Sequence, residues 1–274
     1  MKNDFNSSQH HLAASIMPLL LVLGLLFSLS VGPALGQSTY ETDTTPTACE
    51  KLFGFLGNGV FSDPDCWSLI AGPGNGTGAP SDDDLAIITS GELIYINSAE
   101  EVGRLEVNGD LVAGGDSFTL TLSSGTTYNG NLVIKSGGLL RLSGSTFGPF
   151  NIDIDGDIQN DGQFTGEGSK GVSTVTFTSG GAQEISGNAG SSSSNFIFGN
   201  IDVCNANVKN IDSVYQLRGD LESSDSNTAP NNCTGSGSLV DDFQNAATSI
   251  ATLDADIAQT IGSGGNGTFE FERL

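Results

Sequence analysis

Histidine is almost absent from this chain: there are two, His10 and His11, both within the first 36 residues. That stretch carries Lys2, an apolar run from Ile16 to Val31, then Gly32-Pro33 and the small-residue sequence Ala34-Leu35-Gly36, the layout of a secretory signal peptide. Residues 1–36 are therefore expected to be removed, with the mature chain starting at Gln37. A retained membrane anchor is the alternative, but the run is short for a span and the Gly-Pro break ahead of small residues favours cleavage. Without the leader no histidine remains, which excludes Ser-His and Cys-His nucleophile pairs, a histidine base and histidine-ligated zinc.

Positive charge is the next scarcity. Nine basic residues face 32 acidic ones, a formal net charge of −23, and the leader removes only one of each sign (Lys2 and Asp4). Nucleic acid is excluded as a partner, because binding it depends on neutralising phosphates. Acidic polysaccharides are repelled unless a divalent cation bridges. The acidity also suits a saline habitat, where salt screens self-repulsion. Beyond the leader there is no second apolar run of spanning length, so no membrane span is expected in the mature chain, and no cysteine follows the apolar run to carry a lipid.

Cysteine is limited to Cys49, Cys66, Cys204 and Cys233, with no Cys-x-x-Cys spacing. An even number in an exported chain points to disulfides rather than metal. Of the three connectivities, Cys49–Cys66 with Cys204–Cys233 keeps each bridge local and is preferred on that ground. Aromatics make up 7% of the chain, with a single tryptophan, Trp67, so one large globular core is not expected.

What the sequence does have is 38 glycines and short alternating apolar strands between Gly, Asn and Asp turns. Examples are Arg104–Val107, Thr119–Leu122, Leu132–Ile134 and Leu139–Leu142, an all-β signature. An x-Gly-Asp turn flanked by aliphatics recurs at Asn108-Gly109-Asp110, Asp155-Gly156-Asp157 and Arg218-Gly219-Asp220. Ser173–Ile185 also reads without a gap against Ser249–Ile261, and Phe196–Ile201 against Phe269–Leu274. Short rungs bury enough apolar surface only by stacking on one another. The expected fold is an all-β right-handed parallel β-helix, a solenoid with an N-terminal cap; the alternative is a β-sandwich repeat array. Helical spacing of Phe243, Ala247, Ile250, Leu253 and Ile257 leaves a helix before Ser249 open.

The organisation expected is a flexible leader at 37–48, a disulfide-containing opening or cap segment at 49–98, and solenoid repeats at 99–221. A Ser/Asn-rich loop at 222–238 and a further repeat at 239–274, apparently incomplete, follow. Gly59, Phe61, Ser62, Asp63, Pro64 and Trp67, then Pro80, Asp84, Ile87 and Gly91, carry a resemblance. The chain resembles the extracellular eight-glycine domain and the opening segment and repeats of large Bacteroidetes-type secreted surface proteins. The resemblance implies an extracellular or cell-surface location and says little about ligand. Trp67 is read as the plug of the first turn, with sugar stacking as the alternative.

Asp153, Asp155 and Asp157 are the candidate metal residues. On a continuous strand they would alternate with Ile152, Ile154 and Ile158 and form an outward carboxylate ladder, about 7 Å between steps, suited to calcium. The bland reading is a solvated acidic face. Asp82-Asp83-Asp84 has similar standing, and Arg218-Gly219-Asp220, although it matches the integrin-read tripeptide, is read as a structural turn. Asn75, Asn232 and Asn266 head glycosylation sequons.

The function expected is a non-enzymatic secreted or cell-surface repeat protein, adhesin-like or a structural scaffold. It would bind polysaccharide or partner proteins on its face and require no cofactor. The alternative is a β-helix polysaccharide lyase or glycoside hydrolase using carboxylates such as Asp153 and Asp157, or an Arg or Lys base near calcium, or an accessory module of one.

Overall fold

A computed structural model describes residues 38–43, 49, 58–72, 78–115, 117–125, 127–179, 181–187, 195–204, 209–224, 242–245, 250–253, 261–263 and 268–270, with backbone alone at 58, 204, 209–211, 214 and from 222 onward. The leader at 1–36, the 225–238 loop and Cys233 lie outside the described residues. The described chain is all-β apart from a 3-10 turn at Pro64–Cys66, and no described helix is long and apolar enough to cross a membrane.

Three sheets hold almost every strand. The first contains, in spatial order, Leu85–Ile88, Arg104–Val107, Asn131–Ile134, Ile158–Asn160, Gln183–Ser186, Lys209–Asp212, Asp242–Asn245 and Thr268–Glu270. The second runs Asn58–Val60, Leu93–Ile96, Asp110–Ala113, Leu139–Arg141, Gln163–Thr165, Phe196–Phe198, Val214–Leu217 and Ile250–Leu253. The third runs Glu100–Val102, Thr119–Leu122, Asn151–Ile154, Thr174–Phe177, Asn200–Cys204, Leu221–Ser224 and Ile261–Ser263. From Leu85 onward the chain visits the sheets cyclically, and neighbours within each sheet are parallel. That rules out the sandwich array, whose sheets are antiparallel.

Parallel register stacks like on like. Ala86, Leu105, Leu132, Ile158 and Ile185 form one inward row of the first sheet. Ile94, Leu111, Leu140, Phe164 and Phe196 form a row of the second, and Leu120, Ile152, Val175, Ile201 and Leu221 a row of the third. All are buried and belong to one core cluster. Parallel sheets covered on both faces read as continuous apolar runs. Here only one face meets the core, so the strands alternate.

Turns between strands are pinned by side chains of neighbouring strands. Asn131 Oδ1 accepts from Asp157 N at 2.8 Å, and Asn200 Oδ1 accepts from Asp220 N at 2.9 Å. A Cβ on Gly156 or Gly219 would collide with those same amide oxygens. The recurring x-Gly-Asp turn is thus a stacking device, and Arg218-Gly219-Asp220 is one instance of it, with Arg218 bonded to Gln216 and ion-paired with Glu167.

Three expectations change. Residues 37–48 are not all a flexible leader: Thr39–Thr42 is a strand of the first sheet, parallel to Leu85–Ile88 and antiparallel to Trp67–Ala71. No helix precedes Ser249 among the described residues, where Asp242–Asn245 and Ile250–Leu253 are strands. The long sequence repeat is not the structural period. Thr174–Phe177 lies in the third sheet but its match Ile250–Leu253 in the second, and Phe196–Phe198 lies in the second while its match falls in the first. Every face demands the same strand-turn-strand pattern, so sequences match out of phase with the coil.

At the cap, Cys49 and Cys66 are disulfide-bonded. Trp67 is buried beside them, its Nε1 donating to Phe61 O at 2.7 Å and its ring edge-on to Phe61 at 4.9 Å. Trp67 is a plug, and no sugar can stack on it. The side chain of Cys204 is outside what the structure describes, so the second bridge is not seen. Asp84 accepts from Ser38 N, Ser81 N and Ser81 Oγ, closing the turn before Leu85–Ile88.

Further along, Phe164, Phe196, Phe198 and Tyr215 form a run of ring contacts at 4.6 to 5.8 Å. Phe164→Ala removes one fully buried ring of this run and is expected to cost about 3–5 kcal/mol. The check is urea denaturation of the mature chain: the midpoint should fall with the slope unchanged.

Candidate binding face

The aspartate ladder read from the sequence does not form. The strand that carries Asp153 ends at Ile154, a bend takes Asp155 and Gly156, and Asp157 leads into Ile158–Asn160 of a different sheet. Asp153 is 8% exposed, not solvated. Its outward row continues through Thr121, Thr176 and Asp202, and neighbours at parallel-sheet spacing cover one another. Burial raises the Asp153 pKa above the usual carboxylate value, and a hydrogen bond from Thr176 lowers it in part. Asp155 accepts from Ser124 N and Oγ, and Asp157 Oδ1 accepts from Glu184 N at 2.8 Å. The three carboxylates are thus committed to separate structural contacts. Among the described residues, the cluster of potential metal ligands is Cys49, Asp63 and Cys66, and its two sulfurs are already bonded to each other.

Two depressions lie instead over one pair of second-sheet strands, Asp110–Ala113 and Leu139–Arg141. In these strands Leu111, Ala113 and Leu140 face the core, while Asp110, Val112, Leu139 and Arg141 point outward. The first depression, about 150 Å³, is lined by Tyr95, Val112, Arg141 and the 144–147 loop with Phe147. The second, about 330 Å³, is lined by Asp110, Leu139, Asp161, Gln163 and Asn195. Asp110 pairs with Leu139 and Val112 with Arg141, so the two hollows sit two residues apart along the same strands, about 7 Å.

One edge of this groove is built by two departures from the short turns used elsewhere. Residues 142–150 leave the second sheet after Arg141, and the hairpin of Glu167–Gly168 with Gly171–Val172 leaves it one coil later. They pack together so closely that a Cβ on Gly168 would meet Ser143 and Gly144 carbonyls. Charge in the groove is mixed. Burial raises the Asp110 pKa, partly offset by the Arg141 guanidinium, and Asp161 adds a second carboxylate.

None of these groove residues was singled out in the sequence as a binding residue; Asp110 was noted only as the last residue of an x-Gly-Asp turn. Alternation marks Asp110, Arg141 and Gln163 as outward, but which outward residues become neighbours depends on coil lengths. A signal was present in the unusually long Gly-rich stretches 143–150 and 166–173, since long connections in a tightly wound chain mark sites.

No protein-family model, curated protein or solved structure matches the chain.

The Asp153 environment has a pH consequence. A carboxyl whose folded pKa is raised contributes stability below its unfolded pKa, and that contribution is lost as pH rises through the folded value. Asp153→Asn is therefore expected to raise the melting temperature at pH 7 and to leave it unchanged near pH 3. Thermal melts of both proteins across that range check it; a destabilised variant at pH 7 would show that the charge is needed.

Proposed function

We propose that this chain is a non-enzymatic, secreted or cell-surface repeat protein, an adhesin-like scaffold that holds polymers or partner proteins on an exposed sheet face. The observation that carries this reading is the cyclic order of three parallel sheets around one continuous core. It supports a right-handed parallel β-helix, because parallel crossovers within a sheet are right-handed almost without exception. Such a rod grows by adding coils and presents long, regular outer faces.

Export is supported by the leader pattern of residues 1–36, by the Cys49–Cys66 bridge and by the resemblance of Gly59–Gly91 to bacterial surface proteins. The enzyme alternative drew on carboxylates such as Asp153 and Asp157, or on an Arg or Lys base near calcium. Asp153 is buried beneath its row neighbours and Asp157 is bound to the backbone of the next coil, so the pair lacks the exposed, convergent geometry that acid/base chemistry needs. The scaffold reading needs no cofactor, and Asp153, Asp155 and Asp157 do not assemble into one calcium site.

The test is incubation of residues 37–274 with a panel of neutral and acidic polysaccharides, with and without calcium. No reducing ends and no ultraviolet-absorbing unsaturated ends should appear above a boiled control. Time-dependent release of either from one polymer would overturn the non-enzymatic reading.

A further inference from the structure

We infer that the groove over Asp110–Ala113 and Leu139–Arg141 is a binding site for a linear, neutral, hydroxyl-rich polysaccharide; this rests on the surface-scaffold reading and assigns it a ligand class. The lining is of two kinds. Tyr95 and the half-buried Phe147 line one end, and the apolar C–H face of a sugar ring can pack on aromatic surface there. Arg141, Asp110, Asp161, Gln163 and Asn195 supply the rest, a set of rigid forks and planar amides or carboxylates that pair with adjacent hydroxyls as donor or acceptor. A compact apolar ligand would need an enclosed hydrophobic pocket, and this groove is open and largely polar.

Charge decides which polysaccharide. The Arg141 guanidinium is the groove's cation, and Asp110 on the neighbouring strand balances it. Asp161 then leaves the lining net negative, on a chain of net charge −23. Uronates, sulfated sugars and phosphates are repelled from such a lining, whereas neutral hydroxyls accept from Arg141 and donate to the carboxylates. Shape points to a chain rather than a single sugar, because two hollows about 7 Å apart lie over the same two strands.

The site is tested by affinity electrophoresis of residues 37–274 through gels containing a neutral β-glucan, a neutral mannan, an α-glucan or a uronate polymer. Arg141→Ala and Gln163→Ala, both at exposed positions, remove one contact from each hollow. Glu101→Ala, at an exposed position of the third sheet, serves as control. Retardation by at least one neutral polymer and none by the uronate is expected, with at least a tenfold loss of affinity in each groove variant and none in the control. Equal far-ultraviolet circular dichroism and melting temperature confirm folding of each variant. Retardation that survives both groove substitutions would place binding elsewhere and overturn this site while leaving the scaffold reading intact. Retardation by the uronate alone would overturn the charge argument. No retardation by any polymer would overturn the site and leave protein partners as the scaffold's ligands.

Discussion

Parallel register between neighbouring strands of each sheet is the constraint on which everything else here depends. From Leu85 onward each strand pairs with parallel neighbours of its own sheet, so a residue's neighbours are its register partners in those strands. The inward rows that run from Leu120 to Leu221 and from Ile94 to Phe196 are apolar throughout. Short strands, few aromatics and modest hydrophobicity suffice because burial is accumulated along the stack and not within any one unit. The same constraint sets the turns. Gly156 and Gly219 are glycines because the Asn side chain of the coil below occupies the space a Cβ would need.

Register also explains where carboxylates can and cannot act. An outward residue in a regular row is flanked above and below at parallel-strand spacing, so Asp153 is covered by its own row and held by Thr176. Chemistry or recognition needs a place where the row is interrupted. The 142–150 loop and the 167–172 hairpin, on consecutive coils at the same corner, provide that interruption and raise a wall beside Arg141.

Much of this was legible in the amino acids. Alternation in Arg104–Val107 or Thr119–Leu122 identifies the strands and their buried sides, the x-Gly-Asp triplets identify the turns, and proximity in sequence favours the Cys49–Cys66 bridge. The rest was hidden for a physical reason. The chemistry of each face is nearly the same, so the pattern does not say which sheet a strand joins. The match of Ser173–Ile185 to Ser249–Ile261 is real, yet it falls a face out of phase. Asp153, Asp155 and Asp157 look like one ladder until the bend at Asp155-Gly156 sends them to different sheets. Tyr95, Asp110, Arg141 and Gln163 are far apart in the chain and meet only because coils of unequal length close onto the same register.

The most direct measurement is amide chemical-shift mapping of isotope-labelled residues 37–274 during titration with a neutral linear oligosaccharide long enough to span both hollows. The account predicts saturable shifts confined to 95, 110–113, 139–147 and 161–163, with the outward row of Thr121, Asp153 and Thr176 unmoved. Shifts centred on that row, or on the cap around Trp67, would contradict it.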